Sequence, residues 1–325
     1  MSIRYGRWED AMVEQLRLHE WTNSEEGQNY LAYFEADMQR KHKVHERMPP
    51  GYIIATQNAV LSEAEPIYVS DDICELVDRA RETFEPEAVL PGDPFVPAGF
   101  ALLARPIMLK DAPWDEDHPM RATDGTIPVR AISWIAVHNE DLSAGCFWIT
   151  YYTSAWDEDV TRWGSQELLD RMRREQALSM CHTFQWTWGE NPWTDISRIS
   201  VLRDDVEEEV LARAKDQVRL IQTMWRIAQQ FVPVRERAPR GLWRDAKRKG
   251  FDQRTINVCK LRRARGGDAE PTGREVSVRF LVHGHWRNQW YPSLSSHRQI
   301  WIHPYVKGPE DAPFKLTERA WEFTR

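Results

Sequence analysis

Four of the ten histidines, His283, His285, His297 and His303, fall within 21 residues of a stretch that also holds Arg279, Arg287, Arg298, Tyr305 and Lys307. Histidine titrates near neutral pH and can act as acid or base, while Arg and Lys stabilise added charge on phosphorus. This is the residue set of metal-free RNA cleavage: a base takes the ribose 2′-OH proton, an acid protonates the departing 5′-oxygen, and cations hold the phosphorane. On that reading His285 works with His297 or His303, Arg287 and Lys307 hold the phosphate, and Tyr305 orients it or stacks a base. His283, two residues from His285, tunes or replaces it. Without a reaction, the same histidines are half-exposed sheet residues. His283-x-His285 with a third histidine also matches a zinc pattern, but no carboxylate is close and the neighbouring arginines disfavour a dication. No metal and no cofactor is expected.

Strands must display these residues. Over 276–287, period two puts Val276, Val278, Phe280, Val282 and Trp286 on one face and Arg279, Leu281, His283, His285 and Arg287 on the other. Over 299–307, Ile300, Ile302 and Val306 alternate with Trp301, His303, Tyr305 and Lys307. If the two strands are neighbours, they share one cationic, aromatic surface. Strands are predicted at Thr255–Arg263, Arg274–Arg287, Gln299–Val306 and Phe314–Phe323, and a short basic helix at about Arg240–Lys249, stopped by Gly250. A long amphipathic helix, about Val206–Val232, opens on Glu207, Glu208 and Glu209, ends at Pro233 and links this part to the rest.

The N-terminal part reads as mixed. Helices are predicted at Trp8–Glu20, Ser24–Arg40 and from the Ser70 cap to Phe84. Strands follow at Ala98–Ile107, Ile127–His138, Gly145–Thr153 and Met180–Gly189, with a helix from Ser165 to about Ser179. Phe84–Val96, with three prolines, reads as a loop or an extended crossing. The fold class is therefore α+β: an acidic mixed α/β domain over 1–205, then a basic domain over 206–325 of long helix, short helix and four-stranded antiparallel sheet.

Charge divides the chain similarly. Residues 1–232 hold 23 Lys+Arg against 40 Asp+Glu, a net of −17, and 233–325 hold 20 against 10, a net of +10. Arg240, Arg244, Lys247, Arg248, Lys249, Arg262 and Arg263 precede the His/Arg strands and enlarge the same footprint, with Arg279, His283 and Arg298 as further nucleic-acid contacts. The expected partner is nucleic acid, RNA in preference to DNA, with a protein partner open to the acidic domain. The 42% hydrophobic content and 16 tryptophans exclude a disordered chain. No apolar run spans a membrane, the N-terminus lacks a signal peptide's apolar core, and a cytoplasmic location is expected. Cys74, Cys146, Cys181 and Cys259 are too dispersed for a zinc knuckle or a disulfide framework. Phosphate-loop, dinucleotide, serine-hydrolase and zincin motifs are all missing.

The order of helices before a four-stranded sheet resembles the compact ribonucleases of the barnase, colicin and RelE-like toxin type, over about 206–325. That resemblance implies an RNA-cleaving sheet face. Separately, Gly284-His285-Trp286-Arg287-Asn288-Gln289, His297-Arg298-Gln299-Ile300-Trp301-Ile302 and Pro304-Tyr305-Val306-Lys307-Gly308-Pro309 resemble a family of uncharacterised proteins from high-GC Gram-positive bacteria and their phages. This implies phage or mobile-element origin and no particular activity. Two expectations follow: a metal-independent, toxin-like ribonuclease, or a non-catalytic nucleic-acid-binding or host-interaction protein.

Overall fold

The computed structural model describes residues 5–42, 51–110, 126–137, 145–154, 170, 173–174, 178–189, 208–230, 234–259, 280–282, 285–302 and 305–307. It is α+β, and the chain divides into two compact units, Met1–Leu261 and Arg262–Arg325. The division falls after Leu261 rather than after residue 205, because the segments between join the larger unit's sheet.

Among the described residues, the first unit runs α1 (Asp10–Thr22), α2 (Glu25–His42), α3 (Tyr52–Glu63), β1 (Glu65–Val69), α4 (Asp71–Arg81), β2 (Ala98–Lys110), β3 (Thr126–Val137), β4 (Cys146–Ser154) and β5 (Leu178–Thr187). It continues with α5 (Glu208–Gln230), β6 (Val234–Arg237), α6 (Arg240–Arg248) and β7 (Thr255–Cys259). The seven strands form one sheet in the order β5-β4-β3-β2-β1-β7-β6. β1 runs parallel to both neighbours, β2 and β7, and every other pairing is antiparallel. Burial follows: β4 is buried at every position, β1 at all but its first, and β2 from Ala98 to Ala104, as strands covered on both faces must be.

One face carries Tyr68, Phe100, Leu102 and Tyr152 against α1, α2 and α3. The other carries Ile67, Val69, Ala101 and Trp134 against Ile73 of α4 and Met224, Ile227 and Ala228 of α5, around a cavity of about 10 Å³, too small for a substrate. A Cβ on Gly99 would collide with the Trp134 indole, its cross-strand partner, so glycine there lets that ring lie on the backbone. Trp134 in turn meets Trp225 edge-on at 5.7 Å, and Phe147 packs on Trp225 at 5.2 Å.

The long helix α5 is thus a core element. Arg81 Nη1 of α4 donates to both carboxylate oxygens of Asp216 at 2.9 Å. Gln222 donates to the Glu87 carbonyl and accepts from the Glu87 N–H, Arg219 donates to the Phe84 carbonyl, and Arg226 pairs with Glu87. The Gln222 and Arg219 contacts satisfy backbone groups of the proline-rich crossing after α4, and its Val89 and Val96 carbonyls accept from the Gly189 N–H and the Trp134 indole N–H.

The second unit contains β8 (Phe280–Val282), β9 (His285–Tyr291), β10 (Ser296–Ile302) and β11 (Tyr305–Lys307). β9 pairs with β10 and β8 with β11, both antiparallel and in one register: residue 285 opposes 302 and 282 opposes 305. The expected four-stranded meander does not form among the described residues, since β7 is claimed by β1 in the large sheet. Phe314–Phe323 and most of Ser165–Ser179 lie outside the described residues.

Candidate nucleic-acid interface

Two cationic regions can be built from the residues upward. The first is β6-α6-β7 at one end of the large sheet. Pro239, at the N-cap, precedes α6, and the Trp243 N–H donates to its carbonyl at 2.9 Å. Gly250, with φ 89°, ends α6, because the turn needs left-handed backbone. The Phe251 N–H then reaches back to the Ala246 carbonyl at 3.0 Å. Ala246 and Phe251 are buried and Leu242 packs on the same core, which fixes the inner face of α6. The outer face therefore presents Arg240, Arg244, Lys247 and Arg248, at steps of three and four residues, all exposed.

These cations differ in what they already hold. Arg248 pairs with Asp245 at 2.9 Å, and Lys249 bridges Asp245 at 3.1 Å and Glu20 of α1 at 2.9 Å. Hydrogen bonds from Lys249 and then Arg248 hold the Asp245 carboxyl below its ordinary pKa range. Burial works against the Lys249 charge, but its two carboxylate partners offset that and leave its pKa raised. Lys249 is thus a tie between α6 and α1. Arg240 and Arg244 make no ion pair among the described residues. Lys247 and Arg254 stand over the Trp243 ring at 5.6 and 4.8 Å from its centroid. The Ala238 N–H donates to the Arg254 carbonyl at 2.9 Å, which sets Arg254 beside the β6–α6 junction. On β6, an edge strand, Arg235 and Arg237 are exposed; Arg235 reaches Glu65 at 3.6 Å and Arg237 has no carboxylate partner among the described residues. Arg237 and Arg254 belong to the basic run over 233–267 that the sequence marks as a nucleic-acid footprint, whereas nothing there singled out Trp243. The three- and four-residue spacing of Arg240, Arg244 and Lys247 around one tryptophan was the signal available for the last.

The second region is the β9–β10 hairpin. Its register puts Arg287 opposite Ile300 and Arg298 opposite Gln289, so these arginines share a face with the 285 and 302 positions. His297 lies opposite Trp290, on the other face, with Asn288 and Gln299. His285 and His297 positions therefore fall on opposite faces and, at five residues along the ladder, roughly 16 Å apart. They are not brought together as an acid–base pair. The shared polar surface is divided for the same reason: the His285 and Arg287 positions align with Ile300 and Ile302, and not with the 301 position. Tyr305 opposes Val282 and Lys307 opposes Phe280. His283, His303, Arg262, Arg263 and Arg279 lie outside the described residues.

Other chemistries find little here. Among the described residues, no three His, Cys, Asp or Glu side chains gather to hold a metal ion. None of the four cysteines forms a disulfide and all are buried. Burial pushes the Cys74 thiol up to about 11 and the Cys259 thiol up to about 12, so neither is a thiolate nucleophile at neutral pH. No helix among the described residues is long and apolar enough to cross a membrane. Against protein-family models, characterised proteins and solved structures, the chain finds no match in any of the three.

Proposed function

We propose that the protein binds nucleic acid and that β6, α6 and the start of β7 form its phosphate-contacting face. The observation that carries this reading is the group Arg237, Arg240, Arg244, Lys247 and Arg254. These five exposed cations of consecutive elements have no carboxylate partner among the described residues, although the chain as a whole is acidic. Cations kept apart from nearby carboxylates repel one another, an arrangement that an anionic polymer relieves. Guanidinium groups bind phosphate bidentately, and each contact releases condensed counterions. Binding without cleavage is the favoured reading, because the His285 and His297 positions are on opposite faces of their hairpin, and the other expected partner of His285, His303, lies outside the described residues.

Fluorescence anisotropy of the full chain with labelled RNA and DNA, titrated from about 50 to 200 mM salt, tests this. Five phosphate contacts give a slope of log affinity against log salt of about −4, and Arg240→Ala with Arg244→Ala reduces its magnitude by about 2. Binding that ignores both salt and the double substitution would sink the proposal. Strand cleavage in EDTA would return the ribonuclease reading instead.

A further inference from the structure

We propose that the β9–β10 hairpin is a stacking site for unpaired bases, an inference that rests on the nucleic-acid reading above and assigns it a second, chemically different contact. At the tip, Trp290 is 44% exposed and Leu294 50% exposed. Elsewhere among the described residues the tryptophans are buried or half-buried, so an indole left this open is an exception within its own protein. Trp290 faces its cross-strand partner His297 with ring centroids 4.8 Å apart and planes at 57°. The two rings form one aromatic step that a flat base can extend. Next to it on the same face is Asn288, exposed and without a side-chain hydrogen bond among the described residues. Its amide offers the donor and acceptor that a base edge requires. Arg287 and Arg298, exposed on the reverse face, supply the charge that draws a phosphate backbone to the ribbon.

The tip is also preorganised. Pro292–Leu294 form one 3₁₀ turn, the Ser295 N–H donates to the Pro292 carbonyl at 3.2 Å, and Ser295 closes the loop with φ 45°. A proline-initiated turn of this length holds Trp290 and His297 opposite each other. Stacking accepts any base but needs it unpaired, which sets the ligand class as single-stranded nucleic acid. A two-stranded ribbon can also enter a duplex major groove. That would use both faces and would not need an open π-surface, so the exposed aromatic step favours the single strand.

The test uses the full chain with Trp290→Ala and Trp290→Phe, read by anisotropy on a labelled 12-nucleotide strand, on its duplex, and on the same strand made abasic. The expected result is a roughly tenfold or greater loss for Trp290→Ala on the single strand, with duplex binding within about twofold and Trp290→Phe close to the parent. The abasic strand should bind the parent as weakly as the intact strand binds Trp290→Ala. Equal losses on strand and duplex would overturn the stacking site in favour of groove insertion, and no loss on either would overturn any role for the tip. If the parent chain binds no nucleic acid at low salt, the failure lies with the nucleic-acid reading itself. If duplex binding persists and depends on Arg240 and Arg244 while Trp290 is silent on the strand, only the hairpin inference fails.

Discussion

The first unit and the hairpin of the second use tryptophan in opposite ways. Trp134 and Trp225 are fully buried, each covered by the other and by helix or sheet. Trp290 sits on a two-stranded ribbon and is 44% exposed. Three layers around a seven-stranded sheet can bury indoles on both sides, whereas the hairpin half-buries Trp286 and leaves Trp290 to water or a partner. The same amino acid is thus structural in one unit and available for contact in the other, and the difference lies in the number of layers.

Substitutions can break this contrast. Trp225→Ala removes the indole that Trp134, Phe147 and Trp186 all meet. It should cost about 3–5 kcal/mol in urea unfolding, and a loss below about 1 kcal/mol would mean that the sheet–α5 layer is not the stable core. Ser295→Gly relieves a left-handed backbone conformation at the hairpin turn and should stabilise the second unit by about 1 kcal/mol. Hydrogen exchange across the β9–β10 ladder would record that gain as slower opening. The smallest effect belongs to His19, half-buried against Phe251 at 4.8 Å and hydrogen-bonded with Ser62 at 3.2 Å. Burial lowers its pKa below 6.5, Glu20 acts to raise it and Lys249 to lower it. The unfolded chain therefore takes up the proton first, and stability falls as pH drops through 6.5 until the folded form protonates as well. Urea midpoints should decline from pH 7.5 to 5.5 and flatten in His19→Gln; an unchanged slope in that variant would assign the pH dependence to other groups.

Most of the first unit was legible from pattern alone. Helices α1, α2, α4, α5 and α6 and strands β2 to β5 lie where periodicity and caps put them, because their long runs carry a strong local signal. The missing elements were α3, β1 and β6. β1 has only five residues, and Pro66 stands within it, normally a sign against a central strand. It is accommodated because the ladder with β7 begins only at Ile67, after the proline. The assignment of β7 to a C-terminal meander failed through the same gap, since a strand cannot be paired correctly while its true neighbour is unseen. At the hairpin, period two sorts each strand's residues into faces but does not say which face of one strand meets which face of the next. The turn decides that. Residues 292–295 set His297 opposite Trp290, and a loop one residue longer or shorter would have put the His285 and His297 positions on one side.

The place of β1 between β2 and β7 has a consequence for biosynthesis. One edge of β1 is met early by β2, but its other partner, ending at Cys259, leaves the ribosome roughly 190 residues after Val69. At about 5–20 residues per second, that interval is on the order of 10–40 seconds. For that time the nascent chain carries an open parallel edge in the middle of its future sheet, apolar on both faces, and translation speed or a chaperone decides whether it waits for β7 or aggregates.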